Sequence, residues 1–331
     1  MARCSVCGAP AVAYIRYQRR YLCRDHYLEF VESKVERAIM RHRLVGKGDR
    51  VLAAVSGGKD SSTLLAVLSR LSRRIGFHVV ALYIHLGIYE YSEKSREASI
   101  RLASQLDVPL IVFDLNEVLG AGIPELAKAS KRPPCSVCGM VKRYVINAAA
   151  VELGVDAVAL GHNADDIAVY NLKSFLNQDL EAISKLGVKT ESIPGVAVGR
   201  VRPLYYVYEK ESFLYSLLAG LPFLHEECPF VERRQMEVEL KETVNQLEDK
   251  RPGLKLQMVS KLAKRVEDYP KPKGSIGRCP SCGLLSSGGE CSFCRVTRRA
   301  LGRPMGPVVR EWFRRRAQEL GLGASWRSSL S

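Results

Sequence analysis

The residues best suited to chemistry in this sequence are its cysteines, of which the 331-residue chain has ten. Two groups contain four donors in pairs separated by two residues: Cys4, Cys7, Cys23 and His26 near the start, and Cys279, Cys282, Cys291 and Cys294 near the end. Two such pairs joined by a loop are typical of a closed tetrahedral zinc site. We therefore predict two bound Zn²⁺ ions rather than disulfides, which are rare in cytoplasmic chains.

The third group of cysteines has three members, Cys135, Cys138 and Cys228. A Cys-x2-Cys pair joined by a distant Cys-Pro is typical of iron–sulfur ligation, and three thiolates leave one iron of a four-iron cluster open for a sulfide. A third zinc ion, unreactive thiols, or a persulfide or disulfide relay without iron are the alternatives. We also expect low pKa values for the first two thiols, because basic residues flank them, namely Lys131, Arg132, Lys142 and Arg143.

A glycine loop after an apolar run is the second chemical feature. Residues 51–55 are small or β-branched and predict a buried strand, and the apolar spacing after residue 62 predicts a helix. Between them lie Ser56, Gly57, Gly58, Lys59, Asp60, Ser61 and Ser62. A strand, a glycine turn and a helix N-terminus present N–H groups and a positive dipole to an anion. The loop is not a Walker A motif, because Asp60 follows Lys59 where that motif has Ser or Thr.

Two further segments should end at the same edge of the sheet as this loop. Residues 83–88 include Ile84, which we predict to form a wall for the adenine of a nucleotide. Residues 160–166 leave an apolar strand and run into a helix, and their candidates for ligand contact are Gly161, His162, Asp165 and Asp166. The two carboxylates could hold magnesium, accept a proton or simply cap the helix.

Apolar periodicity places these segments in an alternating order of strands and helices. We predict strands at 50–55, 77–85, 109–114 and 155–160, and helices at 60–73, 92–106 and 136–152. This alternation is typical of an α/β fold in which helices cover both faces of a parallel sheet. Other expected elements are a helix at 27–47, a buried apolar stretch at 213–224, two basic amphipathic helices within 231–268 and a last helix near 307–320.

Charge and hydropathy limit the classes of partner. The net charge is +15, and nine arginines between residues 295 and 331 face only two acids. A basic chain of this kind predicts a nucleic-acid partner. No apolar run reaches the ~18 residues that cross a bilayer, so we expect no membrane partner and a cytoplasmic location. Asn and Gln number only 13, which favours a thermophilic source.

These features divide the chain into four predicted regions. A zinc finger occupies residues 1–30, and a nucleotide-binding catalytic domain occupies residues 31–230. A helical segment and linker follow at 231–274, and a zinc ribbon with a basic tail occupies 275–331.

The glycine loop resembles the PP-loop of the ATP-pyrophosphatase superfamily, whose members split ATP into AMP and pyrophosphate. Further motifs extend the resemblance over essentially the full length: the zinc finger, the strings at 134–139 and 161–166, Cys228 with Pro229, and the terminal ribbon. In this combination and order, the chain resembles the TtuA-type tRNA 2-thiouridine synthetases. Ala164 stands where a bulkier apolar residue is expected, a departure that affects no catalytic group. The resemblance implies the Rossmann-like fold of adenine nucleotide alpha hydrolases.

The resemblance also implies an activity, that of a tRNA sulfurtransferase. ATP with Mg²⁺ would adenylate the C2 oxygen of a tRNA uridine, at position 54 or alternatively at wobble position 34, and sulfur would then displace AMP. The sulfur would come from the thiocarboxylate of a ubiquitin-like carrier protein through a [4Fe-4S] cluster on Cys135, Cys138 and Cys228. The implied catalytic residues are Lys142, Asp166 and Asp60, and a homodimer is expected.

Three rival functions fit parts of the same pattern. An amine could attack the adenylated base, as in lysidine synthesis, although an amine needs no cysteine triad. A persulfide on Cys135 or Cys228 could deliver sulfur without iron. A non-enzymatic zinc-ribbon RNA-binding protein would bind RNA but release no pyrophosphate.

Overall fold

The computed structural model describes residues 2–231, 236–271 and 277–321. Two parts of the sequence predictions lie outside these residues, namely positions 272–274 of the linker and Arg327 of the basic tail.

The chain begins with a small module that leads into a long helix. Strands β1 (Ala13–Ile15) and β2 (Arg20–Leu22) pair antiparallel, and helix α1 (Arg24–His42) follows. The helix predicted at 27–47 starts and ends earlier than expected. It ends at His42 because Arg43 adopts a left-handed conformation, and its N–H bonds back to the Ile39 carbonyl.

A five-stranded parallel sheet forms the centre of the molecule. Its strands are β3 (Arg50–Val55), β4 (His78–His85), β5 (Leu110–Asp114), β6 (Ala157–Ala159) and β7 (Arg200–Val201), in the order β5-β4-β3-β6-β7. The chain builds outward from β3 through β4 and β5, and then returns to the other side of β3 with β6. The strand order therefore reverses between β3 and β6, where ligands bind in open parallel sheets.

Helices cover both faces of this sheet, so the predicted α/β architecture is confirmed. They are α2 (Lys59–Ile75), α3 (Tyr89–Leu106), α4 (Leu115–Leu119), α5 (Ile123–Ser130), α6 (Pro134–Glu152), α7 (Ala164–Leu176), α8 (Leu180–Ile183) and α9 (Glu209–Leu218). The sequence did not predict β7, α4, α5, α8 or α9. The first four have two, five, eight and four residues, too few for a clear period, and α9 was expected only as part of the buried stretch at 213–224.

Alternating residues of the central strand enter two separate cores. Val51, Ala53 and Val55 pack with α1, α2 and α9 on one face, while Leu52 packs with α5 and α6 on the other. This alternation follows from the two-residue period of a strand. The apolar stretch 213–224 is only partly core: Tyr215 is fully buried, but Phe213 and Leu217 are 40% and 48% exposed. That expectation was wrong because α9 buries Ser212, Tyr215 and Ser216 and leaves its apolar residues Phe213 and Leu217 largely at the surface.

The C-terminal part consists of a helix pair and a small ribbon. Helices α10 (Met236–Lys250) and α11 (Leu254–Arg265) lie where two amphipathic helices were predicted, and strands β8 (Gly277–Arg278) and β9 (Leu285–Ser286) belong to the ribbon. Helices α12 (Ser292–Leu301) and α13 (Gly306–Glu319) complete it. The ribbon docks on α6, where the rings of Tyr144 and Phe293 stack with centroids 3.9 Å apart. Across the described residues, every helix is too short or too polar to cross a membrane.

Candidate active site

The glycine loop joins β3 to α2 at the point where the strand order reverses. Ser61 closes it: its Oγ accepts the Ser56 N–H at 3.1 Å and donates to the Gly58 carbonyl at 2.9 Å. Gly57 has φ +77°, and a Cβ there would lie 2.8 Å from the Ser95 carbonyl oxygen, so only glycine fits. No side chain in the described residues caps α2, which leaves its first N–H groups available to an anion.

The segment after β6 meets this loop directly. A Cβ on Gly161 would lie 3.3 Å from the backbone nitrogen of Ser61. Asn163 caps α7 by accepting the N–H groups of Asp165 and Asp166 at 2.9 and 3.1 Å, and its Nδ2 donates to Asp60 Oδ1 at 3.1 Å. One side chain therefore fixes the start of α7 against the start of α2. Asn163 was not among the predicted site residues, although an Asn followed three residues later by an acid is a capping-box signal.

Asp166 is the most perturbed carboxylate of the site. Burial, and after it the charge of Asp60, raise its pKa to about 7, against the lowering effects of the Asn163 N–H and the Lys241 ammonium. A carboxylate with a pKa near neutral pH exchanges a proton readily there. This pKa is compatible with the proton transfer considered from the sequence, and the catalytic role of Asp166 stays a prediction.

Lys59 and Asp60 belong to a chain of ionic contacts that the sequence did not reveal. Lys59 Nζ lies 3.1 Å from Asp60 Oδ2 and 2.8 Å from Glu209 Oε1, and Lys241 Nζ lies 2.6 Å from Glu209 Oε2. Burial acts to raise the pKa of Glu209, but the hydrogen bonds from Lys241 and Lys59 outweigh it and lower that pKa. Glu209 therefore remains an anion between two ammonium groups.

Asp165 makes its side-chain contacts with residues outside the glycine loop. Its Oδ1 is 2.5 Å from Lys255 Nζ and its Oδ2 accepts the Glu209 N–H at 2.8 Å, and both charged side chains of the pair are only 4% exposed. These contacts join α7 to α9 and α11. The proposed magnesium or proton-transfer role of Asp165 stays a prediction, while its observed contacts are structural.

His162 is buried beside two arginines. Burial, and after it the charges of Arg202 and Arg200, lower the pKa of its imidazole to about 4. Its Nδ1 makes no hydrogen bond to any described residue. The ring is thus neutral at physiological pH and could bond a ligand, as predicted, although nothing in the structure tests that role.

A cavity of about 170 Å³ opens beside the glycine loop and reaches α6. Its walls include Ser56, Ile84, Tyr91 and Lys142. Ile84 therefore lies where an adenine wall was predicted, and the prediction itself stays untested. Lys142 is the link between this cavity and the central cysteines, because its ammonium also interacts with the Cys138 thiol.

The three central cysteines lie at one end of α6. Cys135 is exposed and its Sγ donates to the Phe230 carbonyl at 3.3 Å, and the charges of Cys138 and Cys228 both act on Tyr91. Burial raises the pKa of Cys138 even though Lys142 lowers it. The expected low pKa of Cys138 was therefore wrong, because desolvation exceeds the effect of the nearby cation.

The donor atoms of the two terminal groups fit zinc. In each group the four donor atoms lie within 4.8 Å of one another. The Sγ atoms of Cys7 and Cys23 are 3.7 Å apart and those of Cys282 and Cys291 are 3.9 Å apart, near the ~3.8 Å that tetrahedral Zn–S bonds of ~2.3 Å imply. Among the described residues, the central three cysteines form no such compact group. The arrangement of these three cysteines therefore differs from that of the two terminal groups, and the group that they would hold stays a prediction.

Several arginines of the basic C-terminal region form ion pairs within the protein. Arg310 and Arg314 contact Glu152, Arg298 contacts Glu290, and Arg316 contacts Glu319. Four exposed arginines, Arg295, Arg299, Arg303 and Arg315, form no such ion pair within the described part of the chain, although Arg295 donates to the Ser292 hydroxyl at 3.3 Å. The unpaired arginines are therefore the better candidates for contacts to nucleic-acid phosphates.

Comparison with known proteins identifies the family. Residues 29–228 match the PP-loop domain family, and residues 3–28 match the N-terminal LIM domain of the 2-thiouridine synthetase TtuA. The tRNA-5-methyluridine(54) 2-sulfurtransferase of Thermus thermophilus is 42% identical over 97% of this chain and 99% of its own. The chain belongs to the PP-loop tRNA 2-sulfurtransferase family. The protein of the same name from Pyrococcus horikoshii is 40% identical over 88% of this chain and 93% of its own.

A solved structure shares the fold of this family member. It is the U34-tRNA thiolase NcsA from Methanococcus maripaludis with its [4Fe-4S] cluster, with a TM-score of 0.76 and 24% identity. The alignment covers 91% of this chain and 96% of that one. At this identity the likeness establishes the common fold.

Sequence reasoning missed the residues that reach the site from distant helices. Glu209, Lys241 and Lys255 lie 150, 182 and 196 positions after Lys59, in helices whose local pattern is ordinary. A glutamate in a first helical turn and lysines on a polar helix face carry no signal of their own. Only the tertiary packing of α9, α10 and α11 against α7 and α2 brings them together.

Proposed function

We propose that this protein thiolates C2 of a tRNA uridine in two steps, ATP-dependent adenylation followed by sulfur transfer. The observation that carries this proposal is the position of Lys142. It lines the cavity beside Ser56 of the PP-loop and also interacts with Cys138. One side chain therefore connects the space where ATP would bind with the cysteines that would supply sulfur.

The residues of the loop and of α7 support the adenylation step. The N-terminus of α2 and Lys59 would bind the phosphates, and Asp60, 24% exposed, would contact the Mg²⁺ that accompanies ATP. Asp166 would take the N3 proton of the uridine, which makes the C2 oxygen a nucleophile. Its pKa of about 7 suits this exchange.

The proposed reaction is an adenylation followed by a substitution at C2. The C2 oxygen forms a bond to the α-phosphorus of ATP, the bond to the β-phosphate breaks, and pyrophosphate leaves. A sulfide then forms the C2–S bond, the C2–O bond breaks, and AMP leaves with the oxygen of the base. The proton held by Asp166 returns to N3, and Lys142 would stabilise the negative charge that develops on the departing AMP.

The central cysteines fit an iron–sulfur cluster better than a single metal ion. Cys135 and Cys138 lie one helical turn apart on α6, and Cys228 approaches from another segment. Three thiolates would hold three irons of a [4Fe-4S] cluster and leave the fourth without a protein ligand. When bound there, such a cluster would supply the sulfide from an open iron.

An exposed tyrosine, Tyr89, and a half-buried phenylalanine, Phe230, suit the entry of the base. Tyr89 is 68% exposed with φ +40°, an unfavourable conformation for a bulky residue. Its ring lies 6.3 Å from that of Phe230, whose carbonyl accepts the Cys135 thiol. A uracil that leaves its stack could pack on these rings beside the cysteines.

The rest of the assignment is a proposal from the family. We propose two structural Zn²⁺ ions, position 54 as the target, a ubiquitin-like thiocarboxylate carrier as the sulfur source and a homodimer as the active form. The 42% identity to a protein named for position 54 favours that position. The exposed arginines of the ribbon would contact tRNA phosphates.

A single-turnover assay tests the proposed function. The anaerobic protein is mixed with ATP, Mg²⁺, sulfide and two unmodified tRNA transcripts, one lacking the uridine at 54 and one lacking that at 34. Mass spectrometry should find 2-thiouridine only in the transcript that keeps position 54, with one AMP and one pyrophosphate per thiolated base. Thiolation confined to position 34 would contradict the proposed position, and AMP release without any thiolated base would contradict the sulfur transfer.

A further inference from the structure

We propose that Lys241 is a second phosphate-binding lysine, which binds the pyrophosphate portion of ATP together with Lys59. This proposal rests on the proposed use of ATP but not on the tRNA substrate. Lys241 lies on α10, outside residues 29–228 that match the PP-loop domain. A residue from the C-terminal helix pair would thus complete the phosphate site of the catalytic domain.

The two lysines share one carboxylate. Glu209 Oε1 lies 2.8 Å from Lys59 Nζ, and Glu209 Oε2 lies 2.6 Å from Lys241 Nζ. Both ammonium groups therefore stand within hydrogen-bonding reach of a single small anion. A pyrophosphate group offers several anionic oxygens and could bridge the same two cations.

Glu209 has a fixed backbone and acts as a positioning residue. Its N–H donates to Asp165 Oδ2 at 2.8 Å, and Asp165 is held by Lys255 at 2.5 Å. The buried pair of Asp165 and Lys255 thereby fixes the start of α9, and with it the carboxylate between the two lysines. This gives the otherwise unexplained burial of Asp165 a role at the site.

Lys241 remains accessible to a ligand. Its side chain is 37% exposed, and that of Glu209 is 24% exposed. Its charge also acts on Asp166, which places Lys241 near the carboxylates of the PP-loop edge. A second cation is also favoured by charge. The departing pyrophosphate gains negative charge, and Asp60 already neutralises part of the charge of Lys59.

An ion pair that anchors the same helix, α10, from the neighbouring helix α7 provides a matched control. Lys173 of α7 contacts Glu237 of α10, and its side chain is 33% exposed, close to the exposure of Lys241. That pair joins α10 to α7 without contact to Lys59 or Glu209. A loss caused only by loosening of α10 should therefore appear in Lys173→Met as well.

Equilibrium binding of pyrophosphate and of AMP to the full-length protein tests the proposal without any tRNA. We expect Lys241→Met to weaken pyrophosphate binding about tenfold, leave AMP binding unchanged, and be rescued by Lys241→Arg. Lys173→Met should bind both ligands like the unaltered protein. Unchanged pyrophosphate binding in Lys241→Met, equal losses for pyrophosphate and AMP, or the same loss in Lys173→Met would each overturn the proposal.

Failure of this proposal and failure of the proposed function remain distinguishable. A protein that thiolates tRNA while Lys241→Met binds pyrophosphate normally would refute only the role of Lys241. A protein that binds pyrophosphate through Lys241 but thiolates no tRNA would refute only the proposed substrate.

Discussion

The terminal cysteine groups and the central cysteine triad differ in the number of their donors and in the exposure of their thiols. Each terminal group has four donors whose atoms lie within 4.8 Å of one another, and all four cysteines of the ribbon are buried. The central group has three donors, of which Cys135 is exposed and Cys138 and Cys228 are half-buried. A closed set of four donors stabilises a fold, whereas an incomplete set beside a ligand cavity leaves a position free for chemistry.

The surroundings of the cysteines differ in the same direction. The ribbon cysteines pack on Tyr144 and Phe293 in a continuous apolar core. The central cysteines face Lys142, Tyr91 and the cavity beside Ser56. Helix α6 carries both environments, with the triad at its N-terminus and the ribbon contact near Tyr144. The comparison predicts that changes in the two regions damage different properties.

The largest effect is expected from Cys228→Ser. Thiolation should fall below detection while binding of ATP and thermal stability change little, because the substitution removes one thiolate of the open triad. Mass spectrometry of tRNA nucleosides measures the first property and thermal unfolding the second. Full thiolation by this variant would break the comparison, because Cys228 would then be no more reactive than a structural thiol.

A second large effect is expected from Asp166→Asn. Removing the proton acceptor should lower the rate of AMP formation by about 10²–10⁴-fold. In the unaltered protein the rate should rise with pH through about 7, where Asp166 loses its proton. His162, whose pKa is lowered to about 4, stays neutral in this pH range and does not contribute to the increase of the rate. If the rate of Asp166→Asn still rises with pH near 7, the rise belongs to the titration of another group.

Asp166 should affect stability in the opposite direction to activity: as the pH rises through 7, the rate should increase and the free energy of unfolding should decrease. The pKa of Asp166 is higher in the folded protein than the ~3.9 of a free aspartate. Its stabilising contribution is therefore complete below pH ~4 and is lost as the pH rises through 7. Asp166→Asn should flatten this loss, which unfolding measurements between pH 4 and 8 would show.

An effect on stability rather than on chemistry is expected from Cys294→Ser. Loss of one of the proposed zinc ligands of the ribbon should destabilise the fold by about several kcal/mol, because metal binding and folding are coupled. The site around the PP-loop should still bind ATP at low temperature. Chemical unfolding with and without a chelator measures the effect. If the variant is as stable as the unaltered protein, the ribbon group has no structural role, and only the N-terminal group can still have one.

The smallest effect is expected from the exposed arginines of the ribbon. Changing Arg299, Arg303 and Arg315 together to Gln should weaken tRNA binding and make its salt dependence shallower, by up to about 0.9 in log–log slope per lost phosphate contact. Arg316→Gln is the control, because Arg316 already pairs with Glu319. An equal loss in the control would refute the distinction between free and paired arginines.

Local signals in the sequence predicted most of the fold and the cysteine chemistry. The strand at 50–55 and the helices after residues 59 and 134 were found because their periodicity is long or their turns contain glycine and proline. Both four-donor groups were found because metal ligands keep a short spacing. Most of the elements that were missed, among them β7, α4, α5 and α8, are short and depend on packing.

The electrostatics of the site could not be predicted from the sequence. Asp165 and Asp166 are adjacent and look equivalent, yet one is neutralised by Lys255 and the other is buried with a pKa of about 7. Likewise, the lysine beside Cys138 predicted a low thiol pKa, while burial raises it. Burial and distant partners decide these properties, and neither is visible in a local motif.

The most direct test of the account is the metal content of the anaerobically reconstituted protein. Iron, sulfide and zinc are measured per chain in the unaltered protein and in Cys228→Ser, beside the visible spectrum. We expect about four irons, four sulfides and two zinc ions in the first, and loss of iron with retention of zinc in the second. Zinc alone, with no iron at the central cysteines, would contradict the open cluster and favour a persulfide route.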